Sequence, residues 1–425
     1  MGDMLSFWSQ WLRPSAGLPT VQWALLLALA SIGGYWCQRF TGVPKVVGYA
    51  VVGTLAGLLG MTEAQWPLHG PVQFLLELGV AVVLFECGAR ITLRWFRHNP
   101  MVLVQSVLES VLTYAAVYST LRWLDMPAAI AASLGLIAMA SSPLLLRRVS
   151  DDMHASGPVT DRAMVLATLS TLYALTLGSA KAEIFARPSN SLLDDLSPVL
   201  VVLGVSVLMA AVLAGLIRLS LRVMNPSSEN TSILILALIA AASAVAAHLG
   251  GSAPLAALLA GMVLKQLHPR PWVWPRQLGT ASSLLTMLSF VLVASVSASA
   301  PWNLSVTVAV LALVAARLLA KAVGVSLGNI GSGSSWRQSV WVAGAMAPMS
   351  AVALLLTSQF AHAAPEAGQL IASIALPAIL LLELAGAMLA TLSLYRAGEG
   401  TGWRGLRRTP SRPPAATTEG ERDAT

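Results

Sequence analysis

The sequence predicts an all-α polytopic membrane protein with about thirteen transmembrane helices in two inverted repeats. Three observations carry this reading. Of 425 residues, 56% are hydrophobic and only 11% are charged, and the mean hydropathy is +0.72. A soluble chain carries about 25% charged residues, because folding still leaves a large surface to be covered by polar groups. Apolar runs of bilayer length recur along nearly the whole chain, and Lys and Arg concentrate in alternate loops. The apolar residues are mainly Leu, Ala and Val, with aromatics at 6%. That favours packed helices over a β-barrel, whose strands would alternate polar and apolar residues.

The same composition excludes a soluble enzyme, a disordered chain and a disulfide-stapled secreted domain. The net charge of +7 and pI near 9.8 do not indicate a nucleic-acid partner. Membrane proteins collect Lys and Arg in cytoplasmic loops whatever their function, and no basic cluster here interleaves with aromatics. Cys37 and Cys87 lie in or beside apolar runs and read as small packing residues. No P-loop, catalytic triad or metal-ligand spacing occurs, so neither an enzyme activity, a resident metal nor a cofactor is expected.

Residues 1–20 contain Trp8, Trp11 and Pro14 and read as an interfacial segment. They lack the charged start and cleavage site of a signal peptide. Apolar runs follow near 21–39, 45–60, 71–89, 100–121, 127–146, 163–181, 196–217, 231–249, 253–267, 279–299, 303–327, 338–360 and 367–394. The membrane domain thus covers 21–395, and 396–425 is a basic, Pro- and Thr-rich tail expected to be disordered.

Loop charge gives the orientation. Loops after odd-numbered spans hold Arg39, Lys45, Arg94, Arg147, Arg148, Arg222, Lys265, Arg337 and others, whereas the alternate loops hold Arg122, Lys181 and Arg187. The split is roughly fourteen to three. The expected arrangement has the N-terminus outside and the tail in the cytoplasm, in the cell's inner (plasma) membrane.

The internal repeat rests on two pairs of features. Gly42-Val43-Pro44-Lys45 leads into a short Gly-rich span, as does Gly251-Ser252-Ala253-Pro254. About a hundred residues after each comes a span broken by Pro among small residues: Ala140-Ser141-Ser142-Pro143 and Ala347-Pro348-Met349-Ser350. The units cover about 21–185 and 231–395, joined by a linker helix near 196–222. The first unit starts outside and the second in the cytoplasm, so they are inverted. Inverted repeats with interrupted helices at matching positions point to a secondary transporter.

These residues resemble the cation:proton antiporter (sodium/hydrogen exchanger) superfamily, in its Kef-like and NapA-like bacterial branch. The resemblance runs from about Leu25 to Leu392. It lies in Gly42-Val-Pro-Lys-Val-Val-Gly-Tyr49, in Glu77-Leu78-Gly79 with Leu84-Phe85 and Gly88, in Ser141-Ser142-Pro143, in Pro254 to Gly261, and in Lys321-Ala-Val-Gly324. It implies an NhaA/NapA-like fold, with a dimerisation domain and a core domain in which the two broken helices cross. It further implies a homodimer in the bilayer that exchanges a sodium or potassium ion for a proton.

The resemblance also exposes a departure. The family's ion-binding Asp falls at Thr171 or Leu172, and no Asp or Glu occurs between Asp161 and Glu183. The second broken helix likewise lacks the family's acid and reads Pro348-Met349-Ser350-Ala351. A hydroxyl can ligate a dehydrated cation but does not ionise at working pH. The expected ion-binding residues are therefore Ser141, Ser142, Thr171, Lys321 and Ser350. Glu77 and Glu109 are the candidate coupling acids, and Glu383 in the last span is a weaker one. Glu109, at the centre of its span, fits a dimer face. Lys321 would lack its acid partner and bond instead to the exposed carbonyls of the broken helices, while Glu86 and Arg90 would pair at i, i+4. Two alternatives stay open: a degenerate, non-transporting membrane protein that acts as a sensor or partner, and an anion transporter that uses an unpaired Lys321.

Overall fold

The computed structural model describes residues 21–60, 66–186, 192–225, 228–267, 276–300, 302–330, 332, 334–349 and 351–400. The interfacial segment 1–20 and most of the tail lie outside these residues, as does Ser350. Among the described residues every regular element is helical. In chain order they are α1 (Val21–Trp36), α2 (Lys45–Leu58), α3 (Gly70–Gly88), α4 (Leu93–His98), α5 (Pro100–Trp123), α6 (Ala128–Met139), α7 (Pro143–Met153), α8 (Pro158–Ala186), α9 (Leu192–Val223), α10 (Glu229–His248), α11 (Ala253–Leu267), α12 (Arg276–Ala298), α13 (Leu304–Leu327), α14 (Trp336–Ala345), α15 (Ala351–Ala363) and α16 (Pro365–Arg396).

Among the described residues nine segments are long and apolar enough to cross a membrane, with α6 and α7 counted together. Four more complete the set of thirteen. They are α1, which continues as a π-helical turn over Cys37–Thr41, the short helices α2 and α11, and the broken pair α14–α15. The chain is a multi-pass membrane protein. Boundaries differ from the sequence reading chiefly at α8, which starts at Pro158, where a proline at a helix start costs no hydrogen bond.

Both breaks lie where the prolines place them. Helix α6 stops at Met139, and α7 restarts at Pro143 with the Ser142 hydroxyl accepting from the Leu145 amide at 3.1 Å. Helix α14 opens with a capping box, Ser335 with Gln338, and stops at Ala345, and α15 restarts at Ala351. Pro348 has no amide proton and cannot continue the preceding turn.

The helices fall into two groups by packing. In one, α2 lies on α12 and α3 on α11, while α9 reaches α11, α10 and α8. In the other, α5 lies on α13, and α8 and α16 flank the two broken pairs. Small residues set these contacts. A Cβ on Gly88 would overlap the Leu258 carbonyl, and one on Gly261 would overlap the Phe85 carbonyl, so α3 and α11 touch backbone to backbone. A Cβ on Gly324 or Gly328 would likewise strike the backbone of Glu109 or Gln105, which brings α13 onto α5. Such close approach is what small residues permit between membrane helices. The groups also meet at Asp152 at the end of α7, which accepts the Lys45 amide at the start of α2 (3.0 Å) and lies 4.0 Å from its ammonium.

Candidate functional site

The two breaks cross. The Ser142 amide donates to the Pro348 carbonyl at 3.1 Å, which joins the extended segments directly. Four half-helices therefore end at one place, and the interrupted backbone leaves carbonyls without helical partners. Buried carbonyls need partners, and side chains of the protein supply donors to several of them.

Arg317 on α13 supplies most of them. Its Nε donates to Ala138 O (2.9 Å), one Nη to Ala347 O, and the other to Ala140 O (2.9 Å) and Pro348 O (3.3 Å). One fully buried guanidinium thus binds the C-terminal ends of both α6 and α14. The helix dipole makes those ends negative, so the position suits a cation. A planar fork with five donors reaches four carbonyls, which a lysine could not do.

Lys321, one turn further along α13, donates to Met139 O at 3.3 Å and pairs with the Glu109 carboxylate. Neither side chain is exposed. Glu109 also accepts from Thr113 (3.2 Å) and Ser110 (3.3 Å) on its own helix. Two expectations are corrected here. Lys321 is not unpaired, so the ground for an anion transporter falls away. Glu109 belongs to the α5–α13 contact and not to an outer face, because Gly324 and Gly328 leave room for α5 against α13. The carbonyl-binding role expected of Lys321 falls mainly to Arg317.

On α8, Thr171 is fully buried and its hydroxyl lies between two carbonyls, Ser141 O (2.8 Å) and Ala167 O (2.7 Å). Thr171 is thus the residue of the Thr171–Leu172 pair that faces the first break, and Leu172 is half-buried among apolar neighbours. The Ser141 hydroxyl is buried and has no hydrogen-bond partner among the described residues. Ser142 lies beside a small cavity shared by Pro143, Leu144, Ala351 and Val352 with Val80, Val83 and Leu84 of α3. Ser141, Ser142, Thr171 and Lys321 therefore gather around one crossing, whereas Ser350 lies outside the described residues.

Other acids stand apart. Glu77 is half-buried on α3 and accepts from Gln73 at 2.8 Å. Glu86 pairs with Arg147 of α7 (3.5 Å) and not with Arg90, because α3 ends at Gly88 and the i, i+4 face ends with it. Glu383 on α16 is buried, and among the described residues neither carboxyl oxygen has a partner. Arg317 is the residue that the sequence reading passed over as a site member. Its signal was present, four residues before Lys321 on an apolar helix. Among the described residues no group of His, Cys, Asp and Glu could hold a metal ion.

Comparison with known proteins gives the family and the fold. Residues 25–394 match the family described as "Sodium/hydrogen exchanger, transmembrane". The fold is similar to the sodium proton antiporter MjNhaP1 from Methanocaldococcus jannaschii at pH 8. The TM-score is 0.67 at 16% identity, over 93% of this chain and 99% of that one. An electron-microscopy structure of MjNhaP1 aligns with a TM-score of 0.59 at 16% identity, over 94% and 96% of the two chains. No curated protein matches the sequence. With the family match spanning nearly the whole membrane part, the chain belongs to the sodium/hydrogen exchanger family and is a secondary transporter of the cation:proton antiporter type.

Proposed function

We propose that a monovalent cation and a proton are exchanged at the crossing of the broken helices, with Ser141, Ser142, Thr171 and Ser350 as neutral oxygen ligands. The observation that carries this is the buried pair of Lys321 with Glu109. In the family pattern a Lys at this position is balanced by the Asp that α8 lacks here. Glu109 performs that balance from α5, so the crossing is not left with two uncompensated cations. A site with a compensated Lys321 and several oxygens suits a sodium or potassium ion better than an anion. The exchange we assign needs no bound cofactor.

In this reading the helices form two inverted repeats, about 21–185 and 231–395. The protein works as a homodimer in the inner membrane, with its N-terminus outside and its tail in the cytoplasm. Transport follows from one group of helices moving against the other at the seam that holds the small cavity. Loop charge supports the orientation. A cysteine placed at Arg94 or Arg147 should resist impermeant reagents from outside, while one at Glu366 should react. Labelling with the opposite pattern would reverse the topology.

The functional reading is tested with purified protein in proteoliposomes that contain a pH dye. Sodium or potassium gradients should drive proton movement, and chloride gradients should not. Chloride-driven movement without a cation effect would contradict the proposal.

A further inference from the structure

Exchange needs a group that holds a proton in one state and a cation in the other. Glu109 is tied to Lys321 in the tight α5–α13 contact, and Thr171 cannot ionise.

Glu383 meets the requirement in four respects. It is 1% exposed, and among the described residues neither of its carboxyl oxygens has a hydrogen-bond partner. Burial of an unpaired carboxylate is costly, so a carboxyl in this position is held as the neutral acid until a cation arrives.

Its position along the membrane is fixed by two glycines. Helix α16 returns antiparallel along α15, with Gly368 against the Ala361 backbone and Gly386 against Pro348. Glu383 precedes Gly386 by three residues, about 4.5 Å along the axis and on the same side of the helix. It therefore lies level with the first turn of α15, the positive end of a half-helix that begins at the crossing.

It also lies at the seam between the two groups. Leu380 and Leu384, on either side of it in sequence, pack with Ala50 of α2 and with Ala294 and Ala298 of α12. Sliding along this seam would open the carboxyl to one side of the membrane and then the other.

Topology and charge agree. Helix α16 follows the second break and packs on α7 and α15, much as α8 follows the first and packs on α7 and α15. Of the charged residues on helices packed against α16, Arg317 and Lys321 are the pair at the crossing, and both are engaged elsewhere. The others sit towards helix ends. Lys45 faces Asp152, Arg147 faces Glu86 and Asp151, Arg148 bonds Ser283 and Thr286, His362 bonds the Ser358 carbonyl, and Arg276 and Arg337 start their helices. Arg317, Lys321 and Glu109 leave one positive charge in excess at the crossing. A further cation is tolerated there only if an acid ionises as it enters, and Glu383 is the unpaired acid at that level.

We propose that Glu383 is the coupling acid of this transporter. The inference rests on the antiport reading. With the site empty the carboxyl keeps its proton. When a sodium or potassium ion binds, the proton leaves to water and the carboxylate balances the ion, so the charge of the site is the same in both states.

The test uses full-length protein in proteoliposomes with a pH dye, together with infrared difference spectra recorded on addition of sodium or potassium chloride. Glu383→Gln should lower cation-driven proton flux at least tenfold while thermal unfolding stays within a few degrees of wild type. Glu383→Asp should keep flux with a displaced pH profile. The wild type should lose a protonated-carboxyl band when the cation is added, and Glu383→Gln should lack that change. Wild-type flux in Glu383→Gln would overturn the assignment, as would a carboxyl band that ignores the cation. If Glu383→Gln does not fold, an unchanged pH profile in Glu383→Asp overturns it. If wild-type protein moves no protons with either cation, the antiport reading fails by itself. The infrared change then decides separately whether Glu383 is the acid that ionises when the cation binds: a cation-sensitive band absent from Glu383→Gln supports that role, and its absence from wild type overturns it.

Discussion

Lys321 and Glu109 form an ion pair with no exposed surface, made between residues 212 positions apart in the chain. It couples α5 to α13 where Gly324 brings the backbones together, and it holds Lys321 within 3.3 Å of the last carbonyl of α6. The pair is thus part of the scaffold that supports the first break as well as part of its charge balance.

Removing one partner should therefore cost far more than removing both. Glu109→Gln leaves a buried ammonium without its counter-charge, and breaking a buried pair this way costs about 3–5 kcal/mol. The double variant Glu109→Gln with Lys321→Met should recover most of that loss. Thermal unfolding of the two variants in detergent checks this. Equal losses in both would mean that the pair contributes packing and not charge.

Arg317 should not be replaceable by lysine. Its guanidinium reaches carbonyls on both sides of the crossing, and an ammonium has neither the span nor the planar fork to do so. Arg317→Lys strands buried carbonyls at about 1–3 kcal/mol for each group left unsatisfied. Hydrogen exchange at residues 139–142 and 346–349 should rise in Arg317→Lys, with little change in α10 or α11. Uniform exchange across the protein would show that Arg317 supports the whole fold and not the crossing.

The contact between Gly88 and Gly261 gives a steric prediction. Either glycine replaced by Val places atoms inside the opposing carbonyl, and relieving that overlap requires α3 and α11 to separate. Overpacking of this kind costs about 1–3 kcal/mol. Gly215, with open space at its Cβ position, is the control, and Gly215→Ala should leave the melting temperature unchanged or higher.

Glu399 accepts from the Val159 amide (2.7 Å), the Thr160 amide (2.7 Å) and the Thr160 hydroxyl (2.8 Å) at the start of α8. The segment after α16 thereby caps the helix that carries Thr171. Glu399→Ala should destabilise this end of α8 by about 1–2 kcal/mol. The amides of Val159 and Thr160 should then exchange faster, and unchanged rates would show that water replaces the cap.

Much of this architecture is written locally. Pro143 and Pro348 among small residues mark the breaks, because proline removes a donor and clashes with the turn before it. Loop charges and apolar runs give the segment count. Local pattern also places Thr171 on α8 and Lys321 on α13. What it does not give is which side chains meet across helices. Glu109 could be recognised as an unusual buried acid, but its partner lies on a helix two hundred residues away. The Glu86–Arg90 pairing failed because Arg90 falls beyond the end of α3. Arg317 was visible as the neighbour of Lys321, yet its grip on both breaks depends on the crossing itself.

Cation:proton exchange at the crossing is tested most directly by proton movement in proteoliposomes under imposed sodium and potassium gradients. An inward cation gradient should drive protons out, and Thr171→Val should weaken this by removing the hydroxyl from the Ser141 carbonyl. A folded, correctly inserted protein that moves no protons under either gradient would contradict it.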